Sequence, residues 1–461
     1  MEEQQPEIFT LVELHYSDIL QLSSESIFDS PIQERQRLES ISRTIMETLG
    51  PKGPGILSVT GVPNASRLRR MLLPLARKLA LLNHQDRKRI LKEHRLGSDV
   101  PLKSLDRNVS SFAMKLEYSK GSELVQNMTS HERDLSLDIN LEEDGGGKRR
   151  NDFENLCDAF EQLGQLMINL GILLARICDR FIGGHELEQS LLESSTAKGR
   201  LIHYHSVLDN VIIQEKEARQ KKATTKSRPK YENRKGLCIN SGVPPVEAHQ
   251  LNTNQTEADG MTGLSNLWQQ WHYDYGMFTV LTDPMFLSSC GSRQTLEEWS
   301  EIPQSNEHET LSLIGHTCLQ VLDTHRNKLV SVKSSPESFI IQVGESADIL
   351  SRGELRATLH SVSRPRKLEN LSRETFVVFL QPAWNKIFNL QNHSAQRWTD
   401  SDARETGDNR PGMRSQCKLV GDIQNRIPPL FSRLKDGMTF AEFSRETTKQ
   451  YYGGSGLQSN K

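Results

Sequence analysis

In this 461-residue chain, the residues most able to take part in chemistry are His272 and Asp274, which form an H-x-D motif directly before an apolar stretch. On an extended backbone, side chains at positions i and i+2 point to the same face, so both could bind one ion. A third imidazole from a distant strand would complete a facial triad of two histidines and one carboxylate, which leaves open positions on a non-haem iron(II) ion. His360 is the candidate for this third ligand.

An H-x-D motif alone is a weak signal, because a chain with 14 histidines is expected to contain about one by chance. A second match, His84-Gln85-Asp86, lies in the charged, helix-like stretch from Asn83 to His94. Residues i and i+2 do not face each other on a helix. We therefore expect no metal site at this second match.

The elements that would position His272 and His360 are short strands between Trp271 and Pro382. Apolar or alternating runs, separated by turn residues, predict strands at 278–281, 318–322, 328–332, 338–343 and 376–380. Short strands at this spacing are typical of an all-β sandwich or barrel, with the jelly roll as the leading candidate.

The whole stretch from Gly199 to Pro382 resembles the plant-type iron(II)- and 2-oxoglutarate-dependent dioxygenases related to isopenicillin N synthase. Besides the metal motif, segment 315–322 resembles the family's strand after a glycine turn, and segment 343–353 resembles its "IGDxLxxLSNG" segment, shortly before the distal histidine. The resemblance implies a mainly β fold with flanking helices. Its core would be a double-stranded β-helix (jelly roll), preceded by a helical and mixed N-terminal region.

The resemblance also implies a cosubstrate subsite. Arg373-Glu374-Thr375 takes the place of the family's R-x-S, before an apolar strand that ends in proline. A buried guanidinium can grip the far carboxylate of 2-oxoglutarate bidentately, and the hydroxyl of Thr375 can donate one further charge-assisted hydrogen bond. The similar Arg445-Glu446-Thr447 lacks the apolar strand and lies in a helix-like tail, so we expect no such role there.

Upstream, segment 200–205 resembles the family's "RxNYYPP" strand, whose second tyrosine helps to bind the cosubstrate. Tyr204 occupies that place. Ile202 stands where the family often has asparagine, and His205-Ser206 replaces the proline pair. The resemblance therefore names Tyr204 as a third cosubstrate residue.

Composition and periodicity divide the rest of the chain. Apolar residues recur every three or four positions from Phe153 to Phe181, as on a long amphipathic helix, whereas polar stretches bury little and predict loops. We predict an N-terminal mixed α/β region at 1–135, a polar loop at 136–151, a long packing helix at 152–183, the jelly-roll core at 195–385 with a disordered insertion at 215–260, and a C-terminal tail with a helix at 386–461.

Charge and cysteine usage limit the partners. With 57 basic and 59 acidic residues the formal net charge is -2, so no global field draws the protein to nucleic acid or to a membrane. Six widely spaced cysteines without a C-x-x-C pair favour a reducing compartment, and the polar start predicts no secretory signal. We expect a cytoplasmic protein, with the nucleus as the other candidate.

The expected activity is hydroxylation or desaturation of a small molecule, coupled to conversion of 2-oxoglutarate and O2 to succinate and CO2. Iron(II) would be the metal, 2-oxoglutarate the cosubstrate, and ascorbate a further candidate cofactor. Two alternatives stay open: a catalytically idle β-helix that acts as an interaction module, and modification of nucleic acid or protein by the same chemistry. The basic cluster at 216–235 is the only support for the latter.

Overall fold

The computed structural model describes residues 7–24, 31–98, 100, 108–118, 152–226, 266–289, 307–309, 315–365, 368, 370–390 and 411–452. Two β-sheets enclose one apolar core, and helices pack on the outer face of the larger sheet. The strands are β1 Glu7–Thr10, β2 Glu13–His15, β3 Ile56–Thr60, β4 Gly97–Ser98, β5 Val109–Glu117, β6 Thr196–Tyr204, β7 Leu267–His272, β8 Phe278–Thr282, β9 Met285–Ser289, β10 Glu307–Glu309, β11 Leu319–Asp323, β12 Lys328–Lys333, β13 Phe339–Val343, β14 His360–Ser363 and β15 Leu371–Leu380.

The order of the strands defines the fold. The smaller sheet runs β1-β12-β11-β14-β7, and the larger runs β2-β3-β13-β8-β15-β6-β5-β4, with β9 paired to both β15 and β10. From β6 onward the chain passes back and forth between the sheets, so that β6, β8, β13 and β15 lie in one sheet while β7, β11, β12 and β14 lie in the other. This path is a double-stranded β-helix, and the predicted fold class is confirmed.

The two faces of β6 and β15 have different surroundings because side chains alternate along a strand. Ile202 and Tyr204 of β6 lie in the core between the sheets, whereas Leu201 packs in the core beneath the helices. On β15, Val377 faces the space between the sheets and Phe376 faces the helices. The functional residues predicted on these strands, Tyr204, Arg373 and Thr375, therefore share the face toward the space between the sheets by their parity.

The helices form the outer layer and the C-terminal region. They are α1 Tyr16–Ser23, α2 Ile32–Leu49, α3 Ala65–Leu81, α4 His84–Glu93, α5 Leu156–Ile182, α6 Glu186–Ser194, α7 Val207–Lys226, α8 Glu345–Leu350, α9 Pro411–Arg426, α10 Leu430–Arg433 and α11 Phe440–Tyr452. None of them is long and apolar enough to cross a membrane.

The long helix α5 follows the predicted apolar periodicity. Its apolar stripe is buried against the larger sheet, where the rings of Phe160 and Phe376 meet edge to face with centroids 4.6 Å apart. The helix ends at Gly183, whose φ of 85° is a left-handed conformation that costs glycine little. The helix predicted for the 152–183 segment is thus present, although the division of the chain into domains stays a prediction.

The second H-x-D match and the second R-x-T match both lie on helices, as expected. His84 and Asp86 are in the first turn of α4, and Arg445 and Thr447 are on α11. Neither match is on a strand, and neither faces the space between the sheets.

One predicted boundary is wrong. The disordered insertion was predicted to begin at residue 215, but residues 215–226 continue α7. Lysine, arginine and glutamate are good helix formers, and Lys216 donates a hydrogen bond of 3.0 Å to the carbonyl oxygen of Leu81 at the end of α3. Residues 227–260 and the polar loop predicted at 136–151 lie outside the described residues.

Candidate metal and cosubstrate site

The smaller sheet brings the H-x-D motif and the distal histidine together. His272 ends β7, His360 begins β14, and the two residues are directly paired across these antiparallel strands. Nε2 of His272 lies 3.7 Å from Oδ1 of Asp274, and Nε2 of His360 lies 3.8 Å from Oδ2 of the same carboxylate. The ligand atoms of all three side chains are within 4.8 Å of one another and could hold a metal ion.

Backbone carbonyl groups fix the orientation of both imidazoles. Nδ1 of His272 donates to the carbonyl oxygen of Gln270 at 2.8 Å, and Nδ1 of His360 donates to that of Thr358 at 3.0 Å. With the proton held on Nδ1, the lone pair of each Nε2 faces the shared centre, which is the arrangement typical of metal-binding histidines.

Electrostatics favour the metal-binding protonation states of His272 and Asp274. Burial lowers the pKa of His272 to about 4, and the neighbouring His360 adds to this effect, so the imidazole is neutral at physiological pH. Burial alone would raise the pKa of Asp274, but the two histidines and a hydrogen bond from Thr279 outweigh it and lower this pKa. Oγ1 of Thr279 lies 2.6 Å from Oδ2 of Asp274 and orients the carboxylate.

A backbone brace holds the loop that carries Asp274. The amide of Gly344 donates to the carbonyl oxygen of Met277 at 2.8 Å, and the amide of Glu345 donates to that of Asp274 at 2.8 Å. Glycine is required at 344, because a Cβ atom there would collide with the carbonyl oxygen of Gly276 and lie 3.0 Å from that of Asp274. Segment 343–353 therefore holds the loop that carries Asp274 through backbone hydrogen bonds.

The C-terminal region reinforces this brace. Arg433 of α10 is fully buried and binds both carboxylate oxygens of Glu345, at 2.8 Å through Nη1 and 2.5 Å through Nη2. The hydroxyl of Tyr451 on α11 accepts a hydrogen bond from the amide of Tyr273, the residue between the two proximal ligands. The predicted C-terminal tail is thus in contact with the loop that carries Asp274.

Arg373 lies on β15 and faces the space between the sheets. It is 2% exposed, and its Nε donates to the carbonyl oxygen of Thr317 at 2.9 Å. Among the described residues no carboxylate lies within 4.0 Å of it, and its two terminal nitrogens make no hydrogen bond. The nearby Asp283 is instead bonded to Ser334 and lies 3.7 Å from Arg69. Because an unpaired buried charge is costly, this guanidinium calls for an anionic ligand.

Tyr204 is the cross-strand partner of Arg373. The two residues are paired between β6 and β15, and the guanidinium carbon lies 5.2 Å from the centroid of the tyrosine ring. The ring also packs on Trp268, with centroids 5.6 Å apart. Within the described part of the chain its hydroxyl forms no hydrogen bond, so it is available to a ligand beside Arg373.

Thr375 lies two residues beyond Arg373 on the same face and is 1% exposed. Its Oγ1 is 3.3 Å from the carbonyl oxygen of Thr282 and 3.4 Å from the hydroxyl of that residue. Both distances are long for hydroxyl groups, for which about 2.7–2.8 Å is usual. The Thr375 hydroxyl is therefore held near Arg373 by weak contacts.

A second cation, Arg200, lies on the same face of β6 as Tyr204. Its guanidinium carbon is 4.9 Å from the ring centroid of Phe379 on β15. Its charge contributes to lowering the pKa of both Asp274 and His272, although less than the contacts named above. Sequence reasoning gave this residue no role.

The side chains fit the groups that the sequence pattern implies. Two imidazoles and one carboxylate on one face of a small sheet match the donor set of a non-haem iron(II) centre. A buried guanidinium whose terminal nitrogens bind no described acceptor, beside a tyrosine hydroxyl, matches a dicarboxylate such as 2-oxoglutarate. Iron(II) and 2-oxoglutarate are therefore compatible with this site.

Comparisons with known proteins find solved structures that are similar at low identity. No protein-family model and no curated protein matches the chain. A full-length protein of Neurospora crassa, solved with alpha-KG and 5-formyluracil, is 11% identical with a TM-score of 0.46, over 94% of this chain and 95% of that chain. A rice dioxygenase for auxin oxidation is 14% identical with a TM-score of 0.42, over 81% and 83% of the two chains. JOX2, solved with 2OG, Fe and JA, is 11% identical with a TM-score of 0.44, over 83% and 78%.

Three supporting residues escaped sequence reasoning. Thr279 orients Asp274, Thr317 receives Nε of Arg373, and Trp268 packs on Tyr204 and donates from its Nε1 to the carbonyl oxygen of His205 at 2.9 Å. Thr279 and Thr317 stood in the quoted strand segments, but only the pairing of distant strands reveals which side chains they touch.

Proposed function

We propose that this chain is an iron(II)- and 2-oxoglutarate-dependent oxygenase that oxidises a small-molecule substrate. His272, Asp274 and His360 would hold the metal, and Arg373, Thr375 and Tyr204 would bind the far carboxylate of 2-oxoglutarate. The observation that carries the proposal is the buried guanidinium of Arg373, which has no carboxylate within 4.0 Å among the described residues and lies beside Tyr204. Placement within the plant-type group related to isopenicillin N synthase belongs to the same proposal.

Each residue has a distinct task in this proposal. Bound iron(II) and 2-oxoglutarate supply the oxygen-activating chemistry, with succinate and CO2 as coproducts. The backbone carbonyl groups behind His272 and His360 keep both Nε2 atoms unprotonated, and Thr279 keeps the carboxylate of Asp274 aligned. Arg373 fixes the distal end of the cosubstrate, so that its reactive end reaches the metal in one orientation.

The burial of the triad supports a small substrate. The side chains of His272, Asp274 and His360 are 12%, 11% and 7% exposed. A site this enclosed admits a small molecule or a narrow extended group more readily than the surface of a folded macromolecule. Enclosure also excludes water and strengthens the electrostatic contacts inside the site.

The proposal is tested by anaerobic titration of the metal-free protein with iron(II) and 2-oxoglutarate, followed by the visible metal-to-ligand charge-transfer band. We expect the band in the wild type, its loss in His360→Ala, and its loss or a large shift to higher cosubstrate concentration in Arg373→Ala. Arg95→Ala is the matched control, since this arginine is 71% exposed and lies on the outer surface. Absence of the band from the wild type would refute the proposal and favour the idle interaction module.

A further inference from the structure

A second polar cluster lies directly behind the cosubstrate subsite, on the helix-facing side of β6 and β15. Nδ1 of His203 is 2.8 Å and 3.0 Å from the two carboxylate oxygens of Glu374, and its Nε2 is 3.5 Å from Oδ2 of Asp209. Both Nε and Nη2 of Arg77 lie 3.0 Å from Oδ1 of Asp209. His203, Glu374 and Asp209 are 0% exposed and Arg77 is 6% exposed.

The cluster and the cosubstrate subsite lie on opposite faces of the β6–β15 strand pair. Glu374 is paired with His203, and the adjacent pair in the register is Arg373 with Tyr204. Since successive side chains point to opposite faces, the His203–Glu374 contact and the Arg373–Tyr204 contact stand back to back. Both contacts therefore depend on the spacing of β6 and β15 at this point.

Other strands and helices converge on the same cluster. Ser110 of β5 is paired with His203 and binds Nε2 of His205 at 2.8 Å. Ser206, just before α7, donates to Asp209 through its amide at 2.8 Å and through its hydroxyl at 2.7 Å. The cluster thus connects α3, α7, β5, β6 and β15 behind the subsite.

The charges balance when His203 carries a proton. Arg77 and protonated His203 then offset Asp209 and Glu374, whereas a neutral His203 would leave one buried carboxylate uncompensated. Burial by itself would lower the pKa of His203, but the carboxylates of Glu374 and Asp209 raise it to about 9. Burial also raises the pKa of Glu374, so the His203–Glu374 pair keeps a proton between its two side chains at physiological pH.

A metal ion is the competing occupant of this cluster, because His203, His205 and Asp209 have ligand atoms within 4.8 Å of one another. Two observations favour the proton. Both oxygens of Asp209 already accept hydrogen bonds, from Arg77 on one side and Ser206 on the other. The guanidinium of Arg77 would also repel a cation placed at the same carboxylate.

We propose that protonated His203, bridging Glu374 and Asp209, is a positioning residue that sets the spacing of β6 and β15 and thereby holds Arg373 and Tyr204 in register around 2-oxoglutarate. This inference rests on the proposed function. It predicts that the His203–Glu374 pair, which lies outside the site, affects the affinity for 2-oxoglutarate but not the affinity for the metal. The metal ligands lie on or beside β7 and β14 of the other sheet.

The variants His203→Gln, Glu374→Gln and the double variant test this role. Each single change leaves the buried charges unbalanced, whereas the double change leaves Arg77 with Asp209 and an amide pair between the strands. We expect the single variants to raise the dissociation constant for 2-oxoglutarate about 10- to 100-fold, as a displacement of about 1 Å would. The double variant should return to within about threefold of the wild type.

Three measurements separate positioning from general destabilisation. Isothermal titration gives both the dissociation constant and the number of 2-oxoglutarate sites; a loss of folded protein would lower the number of sites without changing the constant. Binding of Mn(II) to the triad should be unchanged. Nitrogen-15 NMR of the imidazoles in the wild type should show His203 protonated on both nitrogens at pH 7. Arg176→Gln, which breaks a half-buried ion pair with Glu188 in the helical layer, is the matched control.

Each outcome has a defined meaning. Weaker 2-oxoglutarate binding in the single variants, with unchanged Mn(II) binding and recovery in the double variant, would support the inference. Wild-type affinity in His203→Gln, a neutral His203, or a second metal equivalent that is lost in His203→Gln would overturn it while leaving the proposed function in place. A wild type that binds no 2-oxoglutarate at all would overturn both.

Discussion

Replacing Arg373 with leucine should separate cosubstrate binding from stability. The guanidinium is buried and has one hydrogen bond, from Nε to Thr317, with its two terminal nitrogens directed to no described acceptor. If both nitrogens bind a carboxylate of 2-oxoglutarate, two charge-assisted hydrogen bonds are lost, each of about 1.5 kcal/mol at the low end. The sum of about 3 kcal/mol corresponds to a dissociation constant raised about 100-fold.

The stability of the ligand-free protein should not fall in Arg373→Leu, although its affinity for the cosubstrate does. Arg373→Leu removes a buried charge that lacks an acidic partner, which offsets the loss of the hydrogen bond to Thr317. We therefore expect the free energy of unfolding without ligand to stay the same or to rise. At a cosubstrate concentration 100 times the wild-type dissociation constant, binding stabilises the wild type by about 2.7 kcal/mol, and the variant by only about 0.4 kcal/mol.

The assay combines anaerobic spectroscopic titration with denaturant unfolding at the same two cosubstrate concentrations. Arg373→Lys keeps the charge without the planar fork and should fall between the wild type and Arg373→Leu. Arg87→Leu is the matched control, because this buried arginine donates to the carbonyl oxygens of Ala80 and Leu82 and lies in the helical layer. Undiminished 2-oxoglutarate affinity in Arg373→Leu would show that the buried guanidinium serves the fold and not a ligand.

Three further changes probe the surroundings of the site. Asp274→Ala should abolish turnover, and Thr279→Val, which removes the hydrogen bond that orients Asp274, should weaken iron(II) binding about 10- to 100-fold in a chelator competition assay. Arg433→Met leaves the carboxylate of Glu345 buried without its partner, so denaturant unfolding should show a loss of about 3–5 kcal/mol, most of which Arg433→Met/Glu345→Met should recover. Since the folded-state pKa of His203 is about 9, above its ordinary 6.5, its contribution to stability should be complete below pH 6.5 and lost as the pH rises through 9.

Each of these expectations has a result that contradicts it. Normal turnover by Asp274→Ala would exclude this carboxylate as a metal ligand. Equal losses of stability in Arg433→Met and in the double variant would mean that the ion pair itself, and not the stranded charge, determines stability. For His203, the comparison is the pH profile of unfolding in His203→Gln/Glu374→Gln, which should be flatter than that of the wild type between pH 7 and 10.

The sequence could predict those parts of the site that depend on short-range geometry. His272 and Asp274 are two residues apart at the end of a strand, so their common face follows from the period of the strand alone. The apolar run that follows Arg373 likewise predicts a strand, but the inward position of Arg373 was implied by the resemblance alone. The spacing of such runs predicted an all-β sandwich or barrel, the resemblance implied the double-stranded β-helix, and the alternating path of the strands confirms that fold.

The remaining parts depend on which strands become neighbours. His203 and Glu374 are 171 residues apart in the chain, and nothing local predicts that β6 and β15 pair with these two side chains opposite each other. The first part of the predicted insertion illustrates the same limit. Residues 215–226 look like a solvated charged loop, but α7 is anchored at its start by buried Asp209, which binds Arg77 of α3. Tertiary contacts therefore extend a helix that composition assigned to a loop.

The buried arginines of this chain give the strongest argument that the site has an anionic ligand. Arg77 binds Asp209, and Arg433 binds Glu345, each as a close ion pair. Arg87 has no carboxylate within 4.0 Å in the described part of the chain, but it donates to two carbonyl groups at the C-terminal end of α3, where the helix dipole is negative. Among the described residues, Arg373 donates to a single carbonyl group, that of Thr317. Since a buried guanidinium left in this state costs stability, its place beside Tyr204 is explained when a carboxylate of the cosubstrate completes the pair.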